Sequence, residues 1–259
     1  MNVPVPPADP VAPEERFPSA FDADLYERIF PAGIERDFWH KARCAIVEGA
    51  LRRHGLAGGR VLDVGCGRGI MLAHLRRAGI DAIGCEPSPL APVPPELAPF
   101  VARETALEQL DPGESASVQA ALLLDVIEHL PDPVAMLASV RERLPALRGL
   151  VLTVPARMSL WTAYDARLGH YRRYRRSLLL EQLEAAGLEA LEVGYFFHGL
   201  YPALRLLGIL RHSRSERFRA PRGAWLPFHA AVARYFRLEE RLCPGWVPGS
   251  SLLAVARPR

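Results

Sequence analysis

The sequence predicts an α/β fold, a doubly wound sheet, mostly parallel, with helices on both faces. Three observations carry this. Short apolar and β-branched runs alternate with helical patterns along most of the 259 residues. These runs are mostly apolar, as strands covered on both faces are. The first run, Arg60–Val64, ends in the glycine cluster Gly65, Gly67 and Gly69, and open sheets of this kind bind ligands at the carboxyl ends of their strands.

The elements follow in order. Residues 1–20 are rich in proline without periodicity and read as a flexible tail, leaving 21–259 as one domain. Asp37–Arg53 has near-helical apolar spacing at Phe38, Ala42, Ile46 and Leu51. After the strand Arg60–Val64, a helix over Ile70–Ala78 stops at Gly79. Strands follow at Asp81–Cys85, Phe100–Arg103 and Ala120–Asp125. Pro131-Asp132-Pro133 opens a helix over Val134–Leu144, proline being tolerated in a first turn. Leu150–Pro155 is the fifth strand, and Ser177 is expected to cap a helix running to Ala186, with Gly187 as its stop. Leu188–Phe197 and Ser251–Ala256 supply two late strands. Two segments exceed what the scaffold needs, 156–176 and 198–249, the second holding amphipathic stretches at Tyr201–Arg211 and Pro227–Leu242. Both are expected to form a helical cap over a substrate pocket.

Composition excludes several classes. No basic segment followed by an apolar run marks a secretory signal, and Leu200–Leu210 is too short and too interrupted by Arg205 to span a bilayer. Cys44, Cys66, Cys85 and Cys243 show neither metal spacing nor a disulfide framework, so a cytoplasmic location is expected. The net charge of +3 hides an asymmetry, because from Leu200 onward eleven Arg face three Glu and no Asp. Such a segment attracts nucleic acid or anionic lipid, leaving peripheral membrane contact open. Its aromatics Phe218, Trp225, Tyr235 and Phe236 could stack on bases, but their helical spacing favours core packing, so no nucleic-acid partner is expected.

The chemistry concentrates after the first strand, in Asp63-Val64-Gly65-Cys66-Gly67-Arg68-Gly69. Glycines let the backbone turn sharply and a ligand approach without Cβ interference. A dinucleotide fingerprint needs Gly-x-Gly-x-x-Gly; here the third glycine comes one place early, which counts against a nucleotide-dependent oxidoreductase. Glu86 ends the second strand, where doubly wound folds place an acid to accept ribose hydroxyl hydrogens.

Asp-x-Gly-x-Gly-x-Gly with Glu86 downstream resembles the first motif of class I S-adenosylmethionine-dependent methyltransferases. The resemblance runs from Arg36 to Pro258 and continues through Asp125-Val126-Ile127-Glu128-His129-Leu130-Pro131-Asp132-Pro133 and Val151–Ala156. It implies a Rossmann-like, seven-stranded mixed sheet with the last strand antiparallel. It also implies S-adenosylmethionine as cofactor and methyl transfer to a small-molecule or lipid-linked acceptor. By this likeness Gly65, Cys66 and Gly67 would meet the cofactor's amino-acid portion, and Asp63 would order that loop or bind the ammonium. Glu86 would hold the ribose, and Leu124 and Asp125 would lie beside the cofactor. Thr105 stands where the family often has an adenine-binding Asp, so backbone at Ala106, or Glu104, is expected to serve instead.

Two stretches resemble a narrower, mostly bacterial group: Phe38-Trp39-x-x-x-Arg43, and Trp161…Asp165 followed by Gly169-His170-Tyr171-Arg172-Arg173-Tyr174. Arg43 would pair with the cofactor carboxylate, a match for guanidinium geometry, or stand as a helix-surface charge. Trp39 is expected to pack. Trp161, Asp165, Arg172, Arg173 and Tyr174 are candidate substrate-binding residues. His170 is the candidate catalytic base for an acceptor hydroxyl; alternatively Asp165 and the arginines form an ion network holding the cap shut. His129 is expected in a supporting hydrogen-bonding role. No metal is expected, because the acidic and histidine residues show no ligand cluster along the chain.

Overall fold

A computed structural model describes residues 23–89, 92–209 and 219–259. The Pro-rich segment 1–20, Phe218 and the end of the Tyr201–Arg211 stretch lie outside the described residues. Among the described residues there are seven strands, β1 (Arg60–Val64), β2 (Ala82–Glu86), β3 (Val101–Arg103), β4 (Val118–Leu124), β5 (Gly149–Pro155), β6 (Leu188–Phe196) and β7 (Ser251–Pro258). The helices are α1 (Ala23–Ile29), α2 (Phe38–Arg53), α3 (Ile70–Arg77), α4 (Pro112–Ser117), α5 (Pro133–Arg143), α6 (Ala163–Arg167), α7 (Arg176–Ala185), α8 (Leu200–Ile209) and α9 (Trp225–Leu242). The strands form one sheet in the order β3-β2-β1-β4-β5-β7-β6, with β7 antiparallel to both neighbours. The expected architecture, including the reversed last strand, is the one observed.

Alternation along the strands builds two cores. Leu62, Leu123, Leu152 and Ala254 face α5 and α7, which contribute Leu137, Val140, Leu179 and Leu183. Val61, Leu122, Val151 and Val255 face α2, α3 and α9, which contribute Ile46, Leu72, Leu75 and Phe236. Because successive side chains point to opposite faces and both faces are covered, the central strands β4 and β5 carry only Gln119 and Thr153 as polar side chains.

Helix starts follow side-chain caps. Asp37 accepts the Trp39 N–H at 2.8 Å and Asp132 accepts that of Ala135 at 3.0 Å. Ser177 is a correction: α7 begins one residue earlier, at Arg176, with Arg175 at the cap position, so Ser177 sits inside the first turn. The segment 198–249 also departs from expectation. Its long helix α9 packs on α2, with Phe236 against Phe38 at 5.8 Å and edge-on to Phe197 at 5.1 Å, so this half of the supposed cap is scaffold. Helix α1, absent from the sequence reading, lies over the glycine loop. Tyr26 meets Phe30 at 5.1 Å, and the Arg68 guanidinium donates to the Phe30 carbonyl.

His40 shows how tightly α2 is packed. Its ring lies 6.3 Å from Phe30 and edge-on to Trp39 at 5.0 Å, and it is buried. Burial, reinforced by the nearby Arg43 charge, pulls its pKa from the ordinary 6.5 down to about 3. Between those values the unfolded chain binds the proton and the folded chain does not, so stability falls as pH drops from 6.5 toward 3. Urea unfolding of wild type and His40→Asn across that range should show a shallower pH slope in the variant. Superimposable slopes would contradict the burial of a neutral His40.

Candidate active site

The crevice is created by the glycine loop after β1. Gly65 and Cys66 donate their N–H groups to the Cys85 carbonyl at 2.9 and 3.1 Å, turning the chain across the end of β2. Gly65 and Gly67 have φ of +70 and +54, a left-handed backbone that side chains resist. A Cβ on Gly65 would come within 3.2 Å of Val126, and one on Gly67 within 3.3 Å of the Tyr26 hydroxyl. The bare backbone therefore leaves a cradle that a side chain would fill. Glu86 braces it: one carboxylate oxygen accepts the Gly67 N–H at 2.7 Å and the other that of Ser88 at 2.8 Å. Burial raises the Glu86 pKa against those two N–H groups, which lower it. Asp63, buried beneath the loop, is pushed to about 7 by burial, opposed by Arg43 and assisted by Glu86.

Across the crevice, β4 ends at Leu124 and the chain turns at Asp125, whose φ of +58 is unusual for a residue with a side chain. Its N–H donates to the Thr153 carbonyl at 2.9 Å, which anchors the turn to β5. Its carboxylate forms an ion pair with Arg43, and that guanidinium lies 4.5 Å from the Trp39 ring centre. Arg43 thus reaches the crevice from α2 and is oriented there by Asp125 and Trp39.

The far wall carries an unusual group. Asp165 is fully buried and accepts from Thr162 N–H at 2.8 Å and from Arg173 Nε at 2.8 Å. His170 Nδ1 lies 3.2 Å from the same carboxylate. Against the penalty of burial, these partners, His170 first, hold Asp165 down at about 2. An ionised Asp165 accepts only, so Nδ1 of His170 carries the hydrogen of this bond. The His129 ring meets His170 edge-on at 4.5 Å and bonds the Leu168 carbonyl; burial pulls its pKa down to about 4, with the His170 charge adding to it. Beside them stands Glu128, fully buried, and among the described residues neither carboxylate oxygen has a hydrogen-bond partner. Burial, and then the Asp125 charge, raise its pKa well above the ordinary range. One ligand atom from each of Glu128, His129 and His170 lies within 4.8 Å of the other two. This corrects the expectation that no metal-type ligand cluster exists: the chain does not show it because α5, β5 and α6 intervene between His129 and His170.

The cavity between these walls measures about 1110 Å³, more than one drug-sized ligand requires. Asp63, Gly65, Cys66, Gly67, Glu86, Ala106, Leu124, Asp125, Arg43, Asp165, His170 and Arg173 all line it. Five sequence candidates do not, the first being Glu104, in the turn after β3. Thr105 turns its hydroxyl back to the Arg103 carbonyl at 2.8 Å. Arg172 donates to the Pro131 carbonyl at 2.9 Å, tying the loop to the turn before α5. Tyr174 is wholly buried in the core, its hydroxyl 3.4 Å from the Ile127 carbonyl, and Trp161 flanks α6 outside the lining. Arg173 lines the wall but its guanidinium is committed to Asp165 and the Ala156 carbonyl, so the ion-network reading of this segment describes Arg173 and Asp165. Sequence reasoning missed an apolar part of the lining, formed by Phe30 and Ile34 near α1, Leu168 after α6, and Leu200 and Leu204 of α8.

A family model described as a methyltransferase domain matches residues 38–193, more than half of the chain and both walls of the crevice. The chain belongs to that family, the class I S-adenosylmethionine-dependent methyltransferases. Curated relatives of the chain include a ubiquinone biosynthesis O-methyltransferase from Hahella chejuensis, 29% identical over 45% of this chain and 51% of that one. Another of that name, from Ralstonia nicotianae, is 36% identical over 31% of this chain and 37% of its own. The chain spans about half, or less, of the length of these relatives. Among solved structures, a possible histamine N-methyltransferase from Thermotoga maritima aligns with a TM-score of 0.53 at 18% identity, covering 91% of this chain and 95% of that one. A magnesium protoporphyrin IX methyltransferase from Synechocystis aligns at 0.52 and 16% identity, over 91% and 93%. At such identities the likeness is one of fold.

The glycine cradle and the braced Glu86 carboxylate fit the donor's backbone-hugging and diol-bearing parts. Glu86→Ala removes two charge-assisted bonds, one to the glycine loop at Gly67 and one to Ser88 after β2, each worth about 1.5–3 kcal/mol. Calorimetry with S-adenosylmethionine should show affinity weakened by at least about tenfold. Unchanged affinity would remove Glu86 from the donor site.

Proposed function

We propose that the methyltransferase acts on an oxygen of a small apolar acceptor, a phenol or catechol, free or carried on a lipid tail. One observation carries this reading: the lining of the crevice combines a carboxyl-and-imidazole cluster, Glu128, His129 and His170, with the apolar side chains Phe30, Ile34, Leu168, Leu200 and Leu204. An alcohol-type oxygen needs help in losing its proton, whereas an amine free base does not. The oxygen-acceptor names of the curated relatives support the same reading.

The donor site falls to Gly65, Cys66, Gly67 and Glu86, with Asp63 below the loop and Arg43, Leu124, Asp125 and Ala106 around it. When bound, S-adenosylmethionine supplies a sulfonium methyl whose C–S bond breaks, the electron pair staying on sulfur, as the acceptor oxygen takes the methyl. The residues orient and dry this meeting, which alone lowers a barrier by several kcal/mol. His170 Nε2 has the lone pair that accepts the hydroxyl proton, and Asp165 with Arg173 keeps the ring in that tautomer. The apolar lining takes the acceptor's carbon skeleton. Exposed Leu206 and Leu207 on α8, next to Leu204, suit an acceptor drawn from a membrane surface. No described helix is long and apolar enough to cross a membrane. The reduced thiols of Cys44, Cys66 and Cys85, buried and unpaired, suit the cytoplasm.

Incubation with methyl-labelled donor and a panel of catechols, alkyl-substituted phenols and amines should label the hydroxylated compounds at oxygen, with amines unlabelled. Label confined to nitrogen or carbon would overturn the oxygen assignment.

A further inference from the structure

We propose that Glu128, His129 and His170 form a site for one divalent first-row transition-metal cation at the acceptor end of the crevice. The geometry gives the site its donors. The three ligand atoms lie within 4.8 Å of one another; a cation held at about 2.1 Å from each needs them about 3 Å apart, a closure that side-chain rotation accomplishes. Both imidazoles already have an acceptor. Asp165 fixes Nδ1–H of His170, and the Leu168 carbonyl holds His129. Acceptors of this kind on the non-ligating nitrogen set the tautomer that leaves the other nitrogen free to bind a metal.

Glu128 supplies the independent observation. Buried polar groups are almost always hydrogen-bonded, and an exception calls for an ion or a water. Both Glu128 oxygens are buried, in the crevice wall, without a partner among the described residues. A carboxylic acid in that place is costly to keep ionised, and a cation beside it removes the cost. Two imidazoles with one carboxylate favour Zn²⁺, Mn²⁺, Fe²⁺ or Co²⁺ over Mg²⁺ or Ca²⁺, which take mainly oxygen.

Three protein ligands leave open positions for the acceptor's oxygen atoms. A divalent cation there makes an adjacent hydroxyl more acidic, so His170 then serves as a ligand and the proton leaves to solvent. This role, though not the site itself, rests on the O-methyl reading above.

The test uses the full chain without an affinity tag, stripped by chelator and titrated with Co²⁺ while visible absorption is followed. One equivalent should saturate a Co²⁺ band, and Zn²⁺ should displace it. Glu128→Gln and His170→Ala should each weaken Co²⁺ binding by about 100-fold or more, and Asp165→Asn by about 10–100-fold. Thermal melts of the metal-free variants check folding; Glu128→Gln, which keeps shape and removes a buried acid, should melt no lower than wild type. Absence of a band in wild type, or identical titrations in wild type, Glu128→Gln and His170→Ala, would overturn the site. Product analysis in parallel separates the two claims. Co²⁺ binding with nitrogen methylation keeps the site and sinks the oxygen reading, and oxygen methylation without Co²⁺ binding does the reverse.

Discussion

The reversal of strand order between β1 and β4 governs this molecule. On one side the sheet runs β1, β2, β3, and on the other β4 and β5. Connections leaving β1 and β4 therefore diverge to opposite faces, and the gap they leave at the carboxyl ends is where such sheets bind ligands. The functional side chains stand on the rim of that gap. The glycine loop and Glu86 come from the β1 and β2 side, Asp125 and Glu128 from the end of β4, and His170 from the long connection after β5. The short β-strand register, with Val64 opposite both Cys85 and Leu123, fixes how far apart these walls stand.

Electrostatically the crevice is a set of buried acids. Asp63, Glu86 and Glu128 are each held above the ordinary carboxylate range, chiefly by burial. Such groups gain from a positively charged or hydrogen-donating neighbour. A sulfonium donor with an ammonium group, a ribose diol and a divalent cation are species that would satisfy them in turn. Arg43 and Arg173, the arginines nearest the crevice floor, are already committed to Asp125 and Asp165. The crevice thus offers buried acids, and a ligand that brings positive charge or hydrogen-bond donors suits them.

Much of this was legible in the sequence, and the limits have physical causes. The strand-loop passage at Asp63–Gly69 and the acid at Glu86 are local patterns whose meaning depends on a few neighbouring residues. Strands buried on both faces announce themselves as unbroken apolar runs, so the sheet was readable to within a residue or two. The segment 156–176 was harder, because an irregular loop has no period to say which side chains turn inward. Asp165, His170 and Arg173 face the crevice wall while Tyr174 goes to the core and Arg172 to the Pro131 carbonyl. Amphipathic spacing in α9 disclosed an apolar face but not its partner, and the partner is α2. The Glu128, His129 and His170 cluster exists only once β5 and the loop after it bring distant positions together.

The central claim is that the gap between β1 and β4 is the donor site. A crystal structure of the chain with S-adenosylhomocysteine tests it most directly. The ribose diol should lie on the Glu86 carboxylate and the amino-acid end along the Gly65–Gly67 backbone. Density for the ligand at any other surface, with the glycine loop untouched, would contradict it.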